Sequence, residues 1–180
     1  MSVSRPNTNT FLKLVINLNF RLYNSIIHKA IKRLAMEFCE DARRNGVLYV
    51  EARFSPHLMS KDEVKPVHVI QTVIDTFKEG EEKYGVKARV ILCCIIGMPP
   101  EIAQENLELC KKFQGEGVVG IDIAGDEASI TGDMYNEQEK QVFHEAQRLG
   151  IHRTVHAGED GPSENVTRAL GISINKQEMF

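Results

Sequence analysis

Residues 88–96 read ARVILCCII, an almost unbroken apolar run of the kind that forms a strand buried on both faces of a parallel sheet. Similar runs lie on either side of it: Val47–Phe54 (VLYVEARF) upstream, then Val118–Ala124 (VVGIDIA) and Ile151–Ala157 (IHRTVHA) downstream. The intervals carry apolar residues at helical spacing. Ile27, Ala30, Ile31, Leu34, Ala35, Phe38 and Ala42 form one series, stopped by Asn45-Gly46. Ile70, Val73, Ile74 and Phe77 mark a second helix over about 66–84, and a third opens at Pro99-Pro100. A fourth spans about 136–149, and a short helix over about 163–170 closes the series. Strand starts at 47, 88, 118 and 151 define a repeating strand–loop–helix unit, which calls for parallel strands with helical crossovers. The expected class is α/β. Two architectures satisfy the pattern: a doubly wound open sheet, or four units of a (β/α)₈ barrel, which in full takes about 250 residues.

Composition narrows the function. The chain has 180 residues, a net charge of -3 and scattered rather than clustered basic residues, so nucleic acid is not an expected partner. No Gly-x-Gly-x-x-Gly follows a strand and no phosphate-binding Gly-x-x-x-x-Gly-Lys-Ser/Thr occurs. No run approaches the ~20 apolar residues of a membrane span. Cys39, Cys93, Cys94 and Cys110 lack framework spacing and read as reduced thiols of a cytoplasmic protein. Residues 1–22 form a divergent preamble, flexible over Met1–Thr10, with Phe11–Phe20 as a possible strand. Residues 172–180 form a divergent tail, which leaves 23–171 as the domain.

In parallel α/β folds reactive residues gather at the carboxyl ends of the strands. Strand four ends in His152-Arg153-Thr154-Val155-His156-Ala157-Gly158-Glu159. His152, Thr154 and His156 share a face, an imidazole there suits zinc, and Glu159 in a closed site would be a general acid with a raised pKa. The same spacing also fits an ordinary polar histidine and a surface glutamate. Strand three ends in Ile121-Asp122-Ile123-Ala124-Gly125-Asp126-Glu127. Asp122 must find a partner within an apolar run, and Gly125 permits close approach to the backbone. On strand one, Glu51 and Arg53 are expected to form a structural ion pair.

Taken together, Glu-Ala-Arg-Phe-Ser-Pro-His-Leu, Val-Lys-Ala-Arg-Val-Ile-Leu-Cys-Cys, Ile-Asp-Ile-Ala-Gly-Asp-Glu and His-Arg-Thr-Val-His-Ala-Gly-Glu occur here in order. This series closely resembles the adenosine deaminases of the animal type over roughly residues 25–170. The resemblance implies a (β/α)₈ barrel with one zinc ion, hydrolytic deamination of adenosine and deoxyadenosine to inosine, and a role in purine metabolism. It implies His156 as a zinc ligand, Glu159 as proton donor to purine N1, and Gly125 as the backbone N–H that meets purine N3. It also implies a cytoplasmic enzyme, some members of which meet a protein partner at the cell surface. A deaminase acting on AMP or a methylated adenine nucleotide is a related alternative.

The departures are equally specific. The family's His-x-His pair, its Gly-His-Gly histidine and its late Asp-Asp pair do not occur in these 180 residues. Where the His-x-His strand would fall stands Leu14-Val15-Ile16-Asn17-Leu18-Asn19. Of the family's four protein zinc ligands His156 alone is present, whereas a catalytic zinc takes about three plus water. The competing expectation is therefore a non-enzymatic product, inert or binding a partner.

Overall fold

In the computed structural model, residues 8–61, 64–129 and 135–173 are described, with side chains described from 25 to 171. Long helix α1 (Thr8–Arg44) leads into β1 (Tyr49–Phe54), α2 (Pro66–Tyr84), β2 (Lys87–Ile95), α3 (Pro100–Phe113), β3 (Val118–Ala124), α4 (Glu137–Arg148), β4 (His152–Val155) and α5 (Glu164–Ser173). The four strands form one parallel sheet in the order β1-β2-β3-β4. That order decides between the two expected architectures. A doubly wound sheet reverses its strand order at a switch point, whereas unbroken sequential order is the winding of a (β/α) barrel. The fold is a partial barrel of four βα units. Among the described residues β1 and β4 each pair on one side only, so both sheet edges are open.

The two-residue period of the strands sorts the side chains. Ala88, Val90, Leu92 and Cys94 of β2, with Ile121 and Ile123 of β3, pack into one core with Ile70, Ile74 and Phe77 of α2 and Leu107, Cys110 and Phe113 of α3. The alternate residues, including Arg53, Cys93, Asp122 and Thr154, turn to the opposite face. The boundaries follow local chemistry. α2 begins with Pro66 in its first turn and ends at Gly85 in the left-handed conformation. α4 starts with a reciprocal cap, in which the Glu139 N–H donates to Asn136 Oδ1 and the Asn136 N–H donates to Glu139 Oε2. α1 is held on α2 by contacts that include the Phe38 and Phe77 rings, 5.8 Å apart.

One expectation is overturned. Phe11–Phe20, including Leu14–Asn19, is the opening of helix α1 and not a strand. Phe11, Leu14, Val15, Leu18 and Leu22 recur at intervals of three and four, a helical period that short apolar runs share ambiguously with strands. α1 runs unbroken through residues 22 and 23. Residues 1–7 and 174–180, which hold most of the expected preamble and tail, lie outside the described residues. No described helix is long and apolar enough to cross a membrane.

All four cysteines are free and no more than 4% exposed. Burial pushes their thiols up, that of Cys94 to about 12, and a thiol that stays protonated is a poor nucleophile. The native chain at neutral pH should leave all four unreactive toward a thiol-specific disulfide reagent, and all four should react after unfolding. Rapid labelling of Cys93 or Cys94 in the native state would contradict this packing.

Candidate active site

Asp122 is completely buried although it sits on the polar face of the sheet. Its Oδ2 accepts a hydrogen bond from one thiol and lies at ion-pair distance from two cationic or imidazole groups, all on three other strands or their ends. His156 Nδ1 lies at 2.9 Å, Cys93 Sγ at 3.3 Å and an Arg53 guanidinium nitrogen at 3.7 Å. Oδ1 has no hydrogen-bond partner. Burial pushes the Asp122 carboxyl up from its usual range, and Cys93, His156 and Arg53 pull it back down. The partner demanded by the apolar surroundings of this aspartate is thus present three times over.

His156 stands one residue beyond β4, where its backbone N–H donates to Ile123 O at 2.8 Å and extends the β3–β4 ladder. Its Nδ1 faces two acceptors, Asp122 Oδ2 and Ile123 O at 3.3 Å. Nδ1 therefore carries the proton in the neutral ring, and Nε2 keeps its lone pair. Nε2 faces a guanidinium nitrogen of Arg53 at 3.4 Å, a donor that fits the same tautomer. A carboxylate on one ring nitrogen and a lone pair on the other is the state in which histidine binds zinc. His156 fits a zinc ligand by this geometry. A complete metal site does not follow, because no group of three or more candidate ligands occurs among the described residues.

Several sequence expectations change here. Arg53 does not pair with Glu51; it reaches the Asp122–His156 pair, while Glu51 accepts from the Tyr49 hydroxyl at 2.6 Å. Both residues lie on one strand face, but the arginine is long enough to cross to β3 and its carboxylate is the buried one. His152 shares a face with His156 but lies four residues away, roughly 13 Å along a strand, and is exposed. His57 is engaged by Glu105, Nε2 to Oε2 at 3.0 Å. Glu159 is exposed, not enclosed in a closed site. Gly125 is required by packing. A Cβ there would come within 2.9 Å of Ile96 Cβ and 3.1 Å of the Ile96 backbone nitrogen.

The residue that sequence reasoning left unplaced is Glu127, in the short 3₁₀ turn after β3. Its carboxylate accepts the backbone N–H groups of Gly158 at 2.8 Å, Glu159 at 2.6 Å and Asp160 at 3.1 Å, and Asn165 Nδ2 at 3.1 Å. The only signal in the sequence is an acid pair, Asp126-Glu127, after a glycine, which does not say which acid turns inward. The Gly158 N–H, then those of Asp160 and Glu159, hold the Glu127 carboxyl down to about 2, against about 4.5 in an ordinary glutamate. A depressed carboxyl stabilises the fold above its unfolded value and loses that contribution as acid protonates it. Wild-type stability should therefore fall between about pH 4.5 and about pH 2, and Glu127→Gln should remove part of that dependence. Acid-denaturation curves that superimpose would contradict the hydrogen-bond pattern.

Comparison with known proteins bears on the family and the fold. The adenosine deaminase family profile matches residues 10–174. Adenosine deaminase of Danio rerio is 46% identical over 156 residues, covering 80% of this chain and 43% of the relative. That of Xenopus tropicalis is 43% identical, with the same coverage. The chain thus spans less than half the length of these relatives. Among solved structures, an adenine deaminase from Arthrobacter aurescens superposes with a TM-score of 0.70 at 21% identity, over 86% of this chain and 47% of its own. An amidohydrolase from Burkholderia ambifaria, solved with bound zinc, gives 0.67 at 23% identity over 79% and 39%. The strand ends, the buried Asp122–His156 pair and these matches converge: the chain belongs to the adenosine deaminase family.

Proposed function

We propose that this chain carries part of the active site for zinc-dependent hydrolytic deamination of adenosine and deoxyadenosine. Adenosine and water would give inosine and ammonia. The observation that carries the proposal is His156 at the carboxyl end of the sheet, its Nδ1 2.9 Å from the buried Asp122 carboxylate, three residues before Glu159. His156 would hold zinc through Nε2. When bound, zinc supplies a water made nucleophilic at neutral pH. Glu159 would give a proton to purine N1, which withdraws electrons from C6 and prepares it for attack, and the Gly125 N–H would orient the ring at N3. Adenosine is preferred to an adenine nucleotide because the Danio rerio and Xenopus tropicalis relatives are adenosine deaminases. Four free, buried thiols support a reducing compartment such as the cytoplasm.

A second reading has its own support: the 180 residues by themselves act without catalysis. One histidine does not make a catalytic zinc site, no larger ligand group occurs among the described residues, and both described sheet edges are open.

Metal analysis separates the readings. After dialysis the 180-residue chain should retain well below one zinc per molecule and should not deaminate adenosine. Stoichiometric zinc would overturn this and make His57 and His152 the first replacement ligands to mutate.

The assigned roles can be checked once the barrel is completed with the parts of the Danio rerio relative that lie outside the match. In that protein His156→Ala should lose both zinc and activity. Glu159→Gln should keep its zinc and lose roughly 10²–10⁴-fold in turnover, the usual worth of a general acid. Normal turnover in Glu159→Gln with zinc bound would remove Glu159 from the mechanism.

A further inference from the structure

The turn after β4 has no helix or strand to hold it, yet it carries the residue whose side chain must meet the substrate. Residues 156–162 make no regular structure, and Gly158, with φ +75, bends the backbone so that successive N–H groups converge. What fills that concavity belongs to the chain itself. Glu127 is 5% exposed, and among the described residues no lysine, arginine or histidine forms an ion pair with it. Burying a carboxylate without a counter-ion is costly unless hydrogen bonds replace the lost water. Here they do so fully. Oε1 takes Gly158 N–H and Asn165 Nδ2, while Oε2 takes Glu159 N–H and Asp160 N–H. Four donors on two oxygens match the accepting capacity of a carboxylate.

A second observation comes from the far side of the same turn. A Cβ added to Gly161 would lie 2.4 Å from Asn165 Nδ2 and 3.1 Å from both Glu127 Cβ and Glu127 Oε1. Gly161 thus leaves the space that the carboxylate and its amide donor occupy. Glu127 itself is fixed at the carboxyl end of β3, two residues beyond the close approach of Gly125 to Ile96. Glu127 thereby links the end of β3 to the N–H groups of residues 158–160.

We propose that Glu127 is a positioning residue for Glu159: its carboxylate gathers the N–H groups of residues 158–160 and fixes the turn that presents the proton donor relative to β3 and His156. Glu127 touches no reacting atom and acts through the backbone. The role given to Glu159 rests on the deaminase reading; the anchoring of the turn does not. The low pKa of Glu127 is consistent with the anchoring, because each of its four donors favours the ionised form.

Amide hydrogen exchange on the 180-residue chain tests the anchoring without reference to activity. In the wild type the amides of Gly158, Glu159 and Asp160 should exchange slowly, although Glu159 and Asp160 are exposed. Glu127→Gln should speed all three by roughly tenfold or more and leave Ile121 and Ile123 unchanged. Gly161→Ala, which crowds the same carboxylate from the other side, should do the same, and Glu127→Asp should restore part of the protection. Unchanged exchange at 158–160 would overturn the proposal, as would acceleration spread evenly over β3 and β4. Should Glu127→Gln fail to fold, scalar coupling across the hydrogen bonds from the Gly158 and Glu159 nitrogens to the Glu127 carboxyl carbon, read in the wild type, decides the matter. Its absence would refute the anchoring. If the turn is released as described while Glu159→Gln of the completed barrel remains fully active, the deaminase role of Glu159 fails and the anchoring stands.

Discussion

A carboxylate inside an apolar strand has to be compensated, and the compensation of Asp122 organises this molecule. Its alternation with Ile121 and Ile123 leaves it no other face to occupy, and it is completely buried. Each of the other three strands then answers with a donor at or near its carboxyl end: Arg53 from β1, Cys93 from β2, His156 just past β4. The polar cluster therefore pins all four strands at the end where the loops carry chemistry. It also sets the proton on Nδ1 of His156, so a demand created by packing delivers the histidine in the form that a metal requires. Stability and chemistry are coupled through one oxygen atom.

Much of this was legible in the residues. The apolar run at 88–96, the alternation at 118–124 and the helical spacing between them are local patterns, and they put the strands within one or two residues of where they lie. The need of Asp122 for partners, and the place of His156 at a strand end, follow from the same two-residue period. What escaped depended on distance across the sheet. Nothing local tells whether Arg53 turns to Glu51 on its own strand or reaches to β3. Likewise Asp126 and Glu127 are equivalent acids until the turn after β4 arrives to offer its amides. Phe11–Phe20 escaped for another reason: apolar residues at 11, 14, 15 and 18 satisfy a strand in a short window and a helix in a longer one.

The two acids near the site show how environment divides similar groups. Glu127 is buried and surrounded by donors, so it stays ionised and spends its charge on holding backbone. Glu159, one turn away from the same donors, contributes its N–H to that arrangement and leaves its carboxyl exposed. The role proposed for Glu159 calls for cover that the described residues do not give it. The remainder of a (β/α)₈ barrel would stand on the open side of β4, and enclosure of Glu159 is a natural consequence of closing the ring.

The sequential strand order has a consequence for how such a chain is made and divided. Among the described residues every strand pairs only with its neighbours in the sequence, so a nascent chain can add one βα unit at a time without waiting for a distant partner. Cutting or joining such a gene between units would give or take whole layers and leave the ladders within each part intact. The cluster on Asp122 behaves differently. Arg53 and His156 are 103 residues apart, so the sheet can be laid down strand by strand, while the histidine is not locked until the fourth strand has emerged.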